Sequence, residues 1–457
     1  MPASHKTTRP FFLFLLPFTL FLFTYCQKNT TPVELTRPKI TLSAEAGVIE
    51  AWLTVTTEEA QGDTLSLSKG AEVVLTRDGT ERLRFALPPA ANGAVAETTV
   101  VDTGLLPAHS YTYAARLVKN GETAARSNSV PLTTMDTTSH DFSIDIFSFG
   151  EKGNSAFWGV EIINDNNIWV SGTIFLKDTY TYDSLGNWIE PYNAAHWDGQ
   201  QWELKRIPFI GQCSAVDYPP LRAIWAPSEN EIYFSNGGSI VRYDGAVFQM
   251  DCGMNTLLDG EILKVWGIDS ANLYAIGVMG TIVRYNEQHW EKIESHTSST
   301  ITDIWGGYDH HINEYIILCT ASLSAGERKL LRIHPDGSVT EIDWSSQNQR
   351  LHSVWFQDMS NVFLCGGGVY VRNRLGEYKK FTELPAISTN SIRGQGINDI
   401  FVVGDFGILA HYSGKSWKQY TYFDEVDKFY SIDYKDDLAV IVGFKNSQAV
   451  IYMLRRM

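Results

Sequence analysis

At 457 residues the chain is longer than one ordinary core serves, so two domains are expected. Aromatic residues make up 12% and charged residues 19%, which supplies ample material to bury and excludes a disordered chain. The formal charge is −15 overall and −17 beyond residue 25. No basic stripe offsets it, which excludes nucleic acid and an anionic bilayer surface as partners, since both need clustered Lys and Arg.

The N-terminus reads as an address. Lys6 and Arg9 precede an apolar run from Phe11 to Phe23, 13 residues interrupted by Pro17. That is short of the roughly 20 residues a bilayer span needs, and it fits the apolar region of a signal peptide over residues 1–25. The segment Phe23-Thr24-Tyr25-Cys26 resembles the bacterial lipoprotein signal, whose Cys is diacylated and becomes the first residue. Tyr25 stands where that family places Gly, Ala or Ser, and an uncleaved or ordinarily cleaved signal is the alternative. The resemblance implies lipidation of Cys26, a tether over 26–37 and attachment to the membrane through the lipid. No acidic residue follows the Cys, so it implies the bacterial outer membrane and an extracytoplasmic location.

Residues 38–135 show short alternating runs separated by Gly, Asp, Asn and Pro, the pattern of an antiparallel sandwich. Ile49-Glu50-Ala51-Trp52-Leu53-Thr54-Val55 alternates cleanly and is expected to point Trp52 inward. Val73-Val74-Leu75-Thr76 runs into the turn Arg77-Asp78-Gly79. Leu105-Leu106-Pro107-Ala108-His109-Ser110-Tyr111 then resembles the fibronectin type III motif LxPxxxY, which implies a tyrosine corner at Tyr111. The closing Ser127 to Thr134 matches that family's last strand. A spacer role is expected for this domain.

Residues 141–457 are repetitive, which decides the architecture. LRAIWAPSENEIYFSN, LKVWGIDSANLYAIG, LHSVWFQDMSNVFLCG and NSIRGQGINDIFVVG align on one template: a hydrophobic-Trp pair, a polar turn, then an apolar strand ending near Gly. The Trp position holds Trp225, Trp266, Trp305 and Trp355, with Glu161, Arg393 and Ile432 in the remaining copies. Spacings of 64, 41, 39, 50, 38 and 39 residues give a unit of about 40 with insertions. In the second half of the unit, Trp197-Asp198-Gly199 leads to Trp202, Tyr243-Asp244-Gly245 to Phe248, Tyr285-Asn286-Glu287 to Trp290, and Tyr412-Ser413-Gly414 to Trp417. Gly accepts positive φ, so these are hairpin turns. Two hairpins per unit make four strands, a to d, which is one propeller blade.

Seven units are counted. The last, Phe429 to Arg455, supplies three strands, and Phe142 to Ser148 is available as the fourth, closing the ring and removing an exposed edge. The repeats resemble a bacterial propeller family with W-G-x(4)-N-[IVL]-[YFW]-x-[VI]-G. The expected fold is all-β: a fibronectin type III-like β-sandwich followed by a seven-bladed β-propeller closed by an N-terminal strand at about 142–148.

The d-to-a and b-to-c connections of a propeller share one face, and the long insertions all fall there. The b-to-c loop of blade one (173–195) carries Tyr180, Tyr182, Trp188 and Tyr192, and the connection to blade two (208–220) adds Phe209 and Tyr218. Tyr and Trp bury much area at low entropic cost, so these six are the candidate binding surface. The repeat Trp residues are expected to pack between blades. Cys213 and Cys252 flank blade two on the same face and could form a disulfide. Cys319 and Cys365, placed at equivalent positions of adjacent blades, are expected to be buried free thiols, because sheets pack about 10 Å apart and a disulfide needs Cα atoms within about 7 Å.

Catalytic chemistry finds little local support. There is no GxSxG elbow. His310-His311 reads as a solvated turn, Asn164-Asp165-Asn166-Asn167 as a hairpin turn without the Glu of a calcium loop, and Gly366-Gly367-Gly368 lies between strands where a phosphate loop must open a helix. Neither metal nor cofactor is expected. The function read from the sequence is a monomeric, non-catalytic envelope lipoprotein that binds or scaffolds a protein or glycan through one propeller face. The rival is a propeller hydrolase or lyase acting on glycans, with Glu161, Asp433 and Arg393 converging on the channel.

Overall fold

The computed structural model describes residues 38–58, 71–86, 95–151, 153–211, 215–250, 253–322, 327–344, 349–420 and 427–457. The expectations for residues 1–37, Cys26 included, and for the Cys213–Cys252 pair lie outside the described residues. No helix among the described residues is long and apolar enough to cross a membrane.

The first domain is built from strands β1 (Lys39–Ala46), β2 (Glu50–Glu58), β3 (Ala71–Arg77), β4 (Thr80–Ala86), β5 (Val95–Thr103), β6 (Ser110–Lys119) and β7 (Glu122–Thr133). They form two antiparallel sheets, β1-β2-β5 and β4-β3-β6-β7, closed over one core that includes Leu53, Val55, Val73, Leu75, Tyr113 and Leu117. Asp78 and Gly79 both take positive φ (51° and 78°), the requirement of the tight turn between β3 and β4. The Tyr111 hydroxyl accepts the Leu106 amide at 2.9 Å, so the expected tyrosine corner is made.

Trp52 corrects an expectation. The core face of β2 is Ala51, Leu53 and Val55, and alternation therefore turns Trp52 to the outer face. It is nevertheless only 4% exposed, with the Arg374 guanidinium of the second domain 5.0 Å over its ring.

In the second domain, seven four-stranded antiparallel sheets follow in chain order. Their innermost strands are Ala156–Asn164, Ala223–Ser228, Ile262–Asp269, Thr300–Asp309, Leu351–Trp355, Thr389–Gly396 and Lys428–Lys435. Each packs against the next, and the seventh packs against the first, so the ring is a closed seven-bladed β-propeller. Blade seven takes its outer strand, β8 (Phe142–Phe149), from ahead of blade one; it pairs antiparallel with Gln448–Arg456, Ile144 opposite Leu454. The aromatic pairs read from the sequence are cross-strand partners: Trp197 faces Trp202, Tyr243 faces Phe248, Tyr285 faces Trp290 and Tyr412 faces Trp417. Their turns are held by side chains as well as glycine. Asp244 Oδ1, for example, accepts the amides of Ala246 and Val247.

Strand pairing fixes the repeat register and changes it in two places. Asp433, opposite Val440, is the counterpart of Arg393, opposite Phe401, and of Trp266, opposite Tyr274; the seventh copy therefore places Asp433 rather than Ile432 at the Trp position. Thr320, opposite Asp303, is the counterpart of Cys365, opposite Ser353. Cys319 is one residue out of register and faces the core shared with blade three, whereas Cys365 faces the core shared with blade six. Both thiols are buried and free, pointing away from each other.

The W-G signature has a steric origin. A Cβ on Gly267 would lie 2.9 Å from Cη2 of Trp225 in the preceding blade, one on Gly394 would lie 3.1 Å from Cη2 of Trp355, and one on Gly306 would overlap Trp266 more closely still. The indoles of Trp225, Trp266 and Trp355 thus rest on the glycine that follows the Trp position in the next blade; in blade five that place is Phe356, and Trp305 Nε1 donates to its carbonyl at 2.9 Å. The Trp residues pack between blades, as expected.

The sandwich docks on the face made by the a-to-b and c-to-d turns. Arg374 binds Glu45 through both guanidinium nitrogens (3.2 and 2.6 Å), His311 Nε2 lies 3.3 Å from the same carboxylate, and Val48 lies against Gly414. The linker is pinned along blade six: Asn398 donates to the Asp136 carbonyl at 2.8 Å, and His140 Nδ1 meets His411 Nδ1 at 2.8 Å. Replacing Gly306 by Ala should destabilise the propeller by about 1–3 kcal/mol, the usual cost of overpacking. In a Trp266→Leu background the same change should cost less, a coupling read from the unfolding midpoints of the four proteins.

Candidate functional site

The loop-bearing face, opposite the sandwich, has two features: an aromatic insertion over blades one and two, and the mouth of the central channel. In the insertion Tyr182 and Trp188 form an isolated antiparallel bridge, with ring centroids 5.1 Å apart and Tyr180 6.0 Å from Trp188. The turn between them is fixed by Asp183, whose Oδ1 accepts the amides of Leu185 and Asn187 at 2.8 Å. Tyr182 is 68% exposed and Leu185, at the tip, 84%. Such a display of large apolar groups held by a rigid turn is costly unless covered on binding.

The six candidate residues divide. Tyr180, Tyr182 and Trp188 form one exposed cluster. Tyr192 begins strand c, half-buried beneath the Arg206 guanidinium at 3.8 Å, and Tyr218 is half-buried. Phe209 is 2% exposed and belongs to the core of blades one and two, a correction. It starts a short strand paired with Ala215–Asp217, and alternation sends its side chain in and that of Ile210 out. Leu185 and Ile210 were missed because isolated aliphatic residues in a loop carry no sequence signal.

The channel is built from two inward layers of the innermost strands. One layer is the Trp position, with Glu161, Arg393 and Asp433; two residues earlier lies a second, with Lys264, Asp303 and Ser353. The sequence reading brought Glu161, Arg393 and Asp433 together, and all three line one cavity of about 150 Å³, with Lys264 and the indoles of Trp158, Trp225, Trp266 and Trp305. It missed Lys264 and Asp303, which a period-two count backward from the Trp position would have found.

Asp303 is the hub. It binds Arg393 through both oxygens (2.8 and 2.9 Å), Lys264 at 2.8 Å and the Val354 amide at 3.1 Å, so blades three, four, five and six meet on one carboxylate. Burial would raise its pKa, but the Arg393 guanidinium and Lys264 ammonium outweigh burial and hold it well below the carboxylate range. Across the channel, burial pushes the Glu161 carboxyl well above its ordinary value, with Asp433 beside it adding to the rise. Burial likewise raises Asp433.

These acids also carry strain between blades. Asp433 Oδ2 accepts the Ile162 amide of blade one at 2.7 Å, Asp303 Oδ2 the Val354 amide of blade five at 3.1 Å, and Ser353 Oγ the Ile392 amide of blade six at 3.1 Å. Inward polar side chains therefore latch blades four, five and seven to their successors. At the mouth, six innermost strands carry a β-bulge just ahead of the inward layers. The extra residue, Trp158, Leu263, His352 and Tyr430 among them, is left half exposed; in blade two Arg222 takes that place, its guanidinium 4.6 Å over Trp158. Among the described residues no group of three potential metal ligands occurs.

No family model matches the chain, and no curated protein matches it. Among solved structures it is similar to virginiamycin B lyase from Staphylococcus aureus, at 12% identity and TM-score 0.52 over 69% of this chain and 100% of that one. It is similar to the extracellular domain of a putative hybrid two-component system from B. thetaiotaomicron, at 12% identity and TM-score 0.50 over 68% of this chain and 40% of that one. The WD40 β-propeller domain of Doa1 aligns over 69% of this chain and 97% of its own, at 12% identity and TM-score 0.49. At these identities the likeness is one of fold.

The raised pair makes a signed prediction. Glu161 and Asp433 hold protons more tightly folded than unfolded, so their contribution to stability is complete below the unfolded values, about 4, and is lost as the pH rises through the folded ones. Asp303 behaves oppositely, contributing above about 3.9 and failing as the pH falls. A Glu161→Gln/Asp433→Asn double variant should therefore gain stability relative to the parent between pH 5 and 8, by up to about 1.4 kcal/mol per pH unit for each proton released. Thermal unfolding of both proteins across that range checks it.

Proposed function

We propose that the protein is a non-catalytic recognition or scaffolding module of the bacterial cell envelope, held by a lipid on Cys26 and presenting one propeller face to a protein or glycan. The observation that carries the reading is polarity: the sandwich docks on the a-to-b and c-to-d turns through Glu45, Val48 and Trp52, and the exposed aromatic insertion is on the opposite face. The start of β1 lies eight residues from its docked end, about 25 Å at strand spacing. A lipid attached ahead of β1 then anchors the far pole of the sandwich and turns the aromatic face away from the membrane. The fibronectin type III-like reading of the sandwich, supported by its strand order and the Tyr111 corner, suits such a stalk. The extracellular domain among the similar structures supports the location.

A glycan hydrolase or lyase working from the channel is the second reading, favoured by the raised carboxyls of Glu161 and Asp433. Two facts weigh against it. Asp433 already accepts the Ile162 amide of the next blade, and a cavity of about 150 Å³ cannot enclose a glycan chain, since pockets that bury most of a ligand run to roughly 300–1,000 Å³.

The test is capture from envelope extract by the full chain, by a chain lacking residues 176–192 and by a Tyr182→Ala/Trp188→Ala variant. Capture by the parent alone is expected, with a loss of at least about tenfold in the double variant, as for paired aromatic hot spots. Equal capture by all three would remove the aromatic insertion from the recognition surface.

A further inference from the structure

The channel keeps cationic donors that the fold does not use. Asp433 is occupied by the Ile162 and Tyr434 amides and Asp303 by a guanidinium, an ammonium, a hydroxyl and an amide, while the Glu161 carboxyl lies across the same cavity. The Arg393 guanidinium is spent on Asp303, Ser353 and the carbonyls of Val354 and Ile392. Two donors remain. The Lys264 ammonium has three N–H bonds and one acceptor, Asp303, with a quarter of its side chain open to the cavity. The Arg222 guanidinium has five and, among the described residues, an ionic or hydrogen-bond partner for none of them: its contact is the face of Trp158.

Arg222 and Lys264 stand on adjacent blades and line the same cavity. A guanidinium held flat on an indole keeps its N–H edge in a fixed plane, the geometry that takes a carboxylate or phosphate in two parallel bonds. The surrounding wall is indole, from Trp158, Trp225 and Trp266, which suits the apolar face of a ring. At about 30 Å³ of liquid volume per water, the cavity of about 150 Å³ holds roughly five waters, so it takes the oxyanion-bearing end of a sugar while the rest of the ring stands at the open mouth.

We propose that the channel mouth is a binding site for a single acidic sugar, its oxyanion on Arg222 and Lys264 and its ring against the indoles. The overall negative charge does not forbid this, because charges beyond about 8 Å are largely screened at physiological salt. The site shares the loop-bearing face with the aromatic insertion but none of its residues, so it goes beyond the recognition reading and stands or falls separately.

The experiment titrates the full chain with glucuronate, glucose 6-phosphate and glucose, read by tryptophan fluorescence and calorimetry. At least one acidic sugar should bind about tenfold or more tightly than glucose, the scale of a charge-assisted pair, and the carboxylate and phosphate arms identify the oxyanion. Arg222→Gln should bring that affinity down to the glucose level with at most the small fall in melting temperature that follows from losing its contact with the Trp158 ring, and the protein stays folded. Trp158→Phe should retain partial binding. Glucose binding as tightly as both acids, no binding by either acid, or an Arg222→Gln protein that binds like the parent would overturn the site. Deleting residues 176–192 should leave the sugar titration unchanged even where it abolishes capture from extract, which keeps the two claims distinguishable.

Discussion

The molecule depends on one antiparallel pairing, β8 against the last strand, Phe142–Phe149 against Gln448–Arg456. A blade buries both faces only if a neighbour stands on each side, so a ring lacking the outer strand of one blade would expose a sheet edge and loosen the blades beside it. Pairing the two ends of a chain of more than 300 residues carries a loop-closure cost that grows only logarithmically with length. The ladder and the Phe147 contacts with Trp197 and Trp202 are set against that cost. The linker is fixed by the same pairing: His140, bound to His411, and Arg456, bound to Asp399, stand together at the end of the joint where Phe142 pairs with Arg456.

Closure also makes the channel. Because the indoles of Trp225, Trp266 and Trp355 rest on the glycine of the next blade, and Asp433 and Asp303 take the next blade's amide, the inward positions do more than fill space; they set the distance between blades. Where Arg393 and Asp433 replace Trp, the aromatic wedge is exchanged for an ion pair or a hydrogen bond that does the same joining with a polar surface. The channel is therefore charged as a consequence of how the ring is held. The two proposed binding surfaces draw on what the joints do not consume: Arg222, part of Lys264 and the exposed aromatic insertion.

Much of the fold was legible in the sequence because a propeller writes its register repeatedly. Seven copies of a Trp-turn-strand pattern fixed blade number, and the three-strand seventh copy pointed to Phe142–Ser148. Errors arose where a reading rested on one copy. Trp52 was turned inward because alternation fixes which residues share a face without saying which face is covered, and a second domain buried the outer one. Ile432 was taken for Asp433, and Cys319 for the counterpart of Cys365, because bulges shift the count by one and sequence does not mark a bulge. Phe209 was read as surface from its place in a long connection, where a two-strand hairpin restored alternation. Glu161 and Asp433 were readable from the repeat, whereas Asp303 was missed and Arg222 was not readable: what distinguishes Arg222 is a guanidinium with no ionic or hydrogen-bond partner among the described residues, which shows only in the folded chain.

Amide hydrogen exchange on the intact chain tests closure most directly. If the ring depends on the joint, the ladder amides of 143–149 and 449–455 should be protected together and exchange only with global opening of the propeller, as one cooperative unit. Rapid exchange of 143–149 while the seven inner strands stay protected would mean that the ring holds without its borrowed strand, contradicting the account.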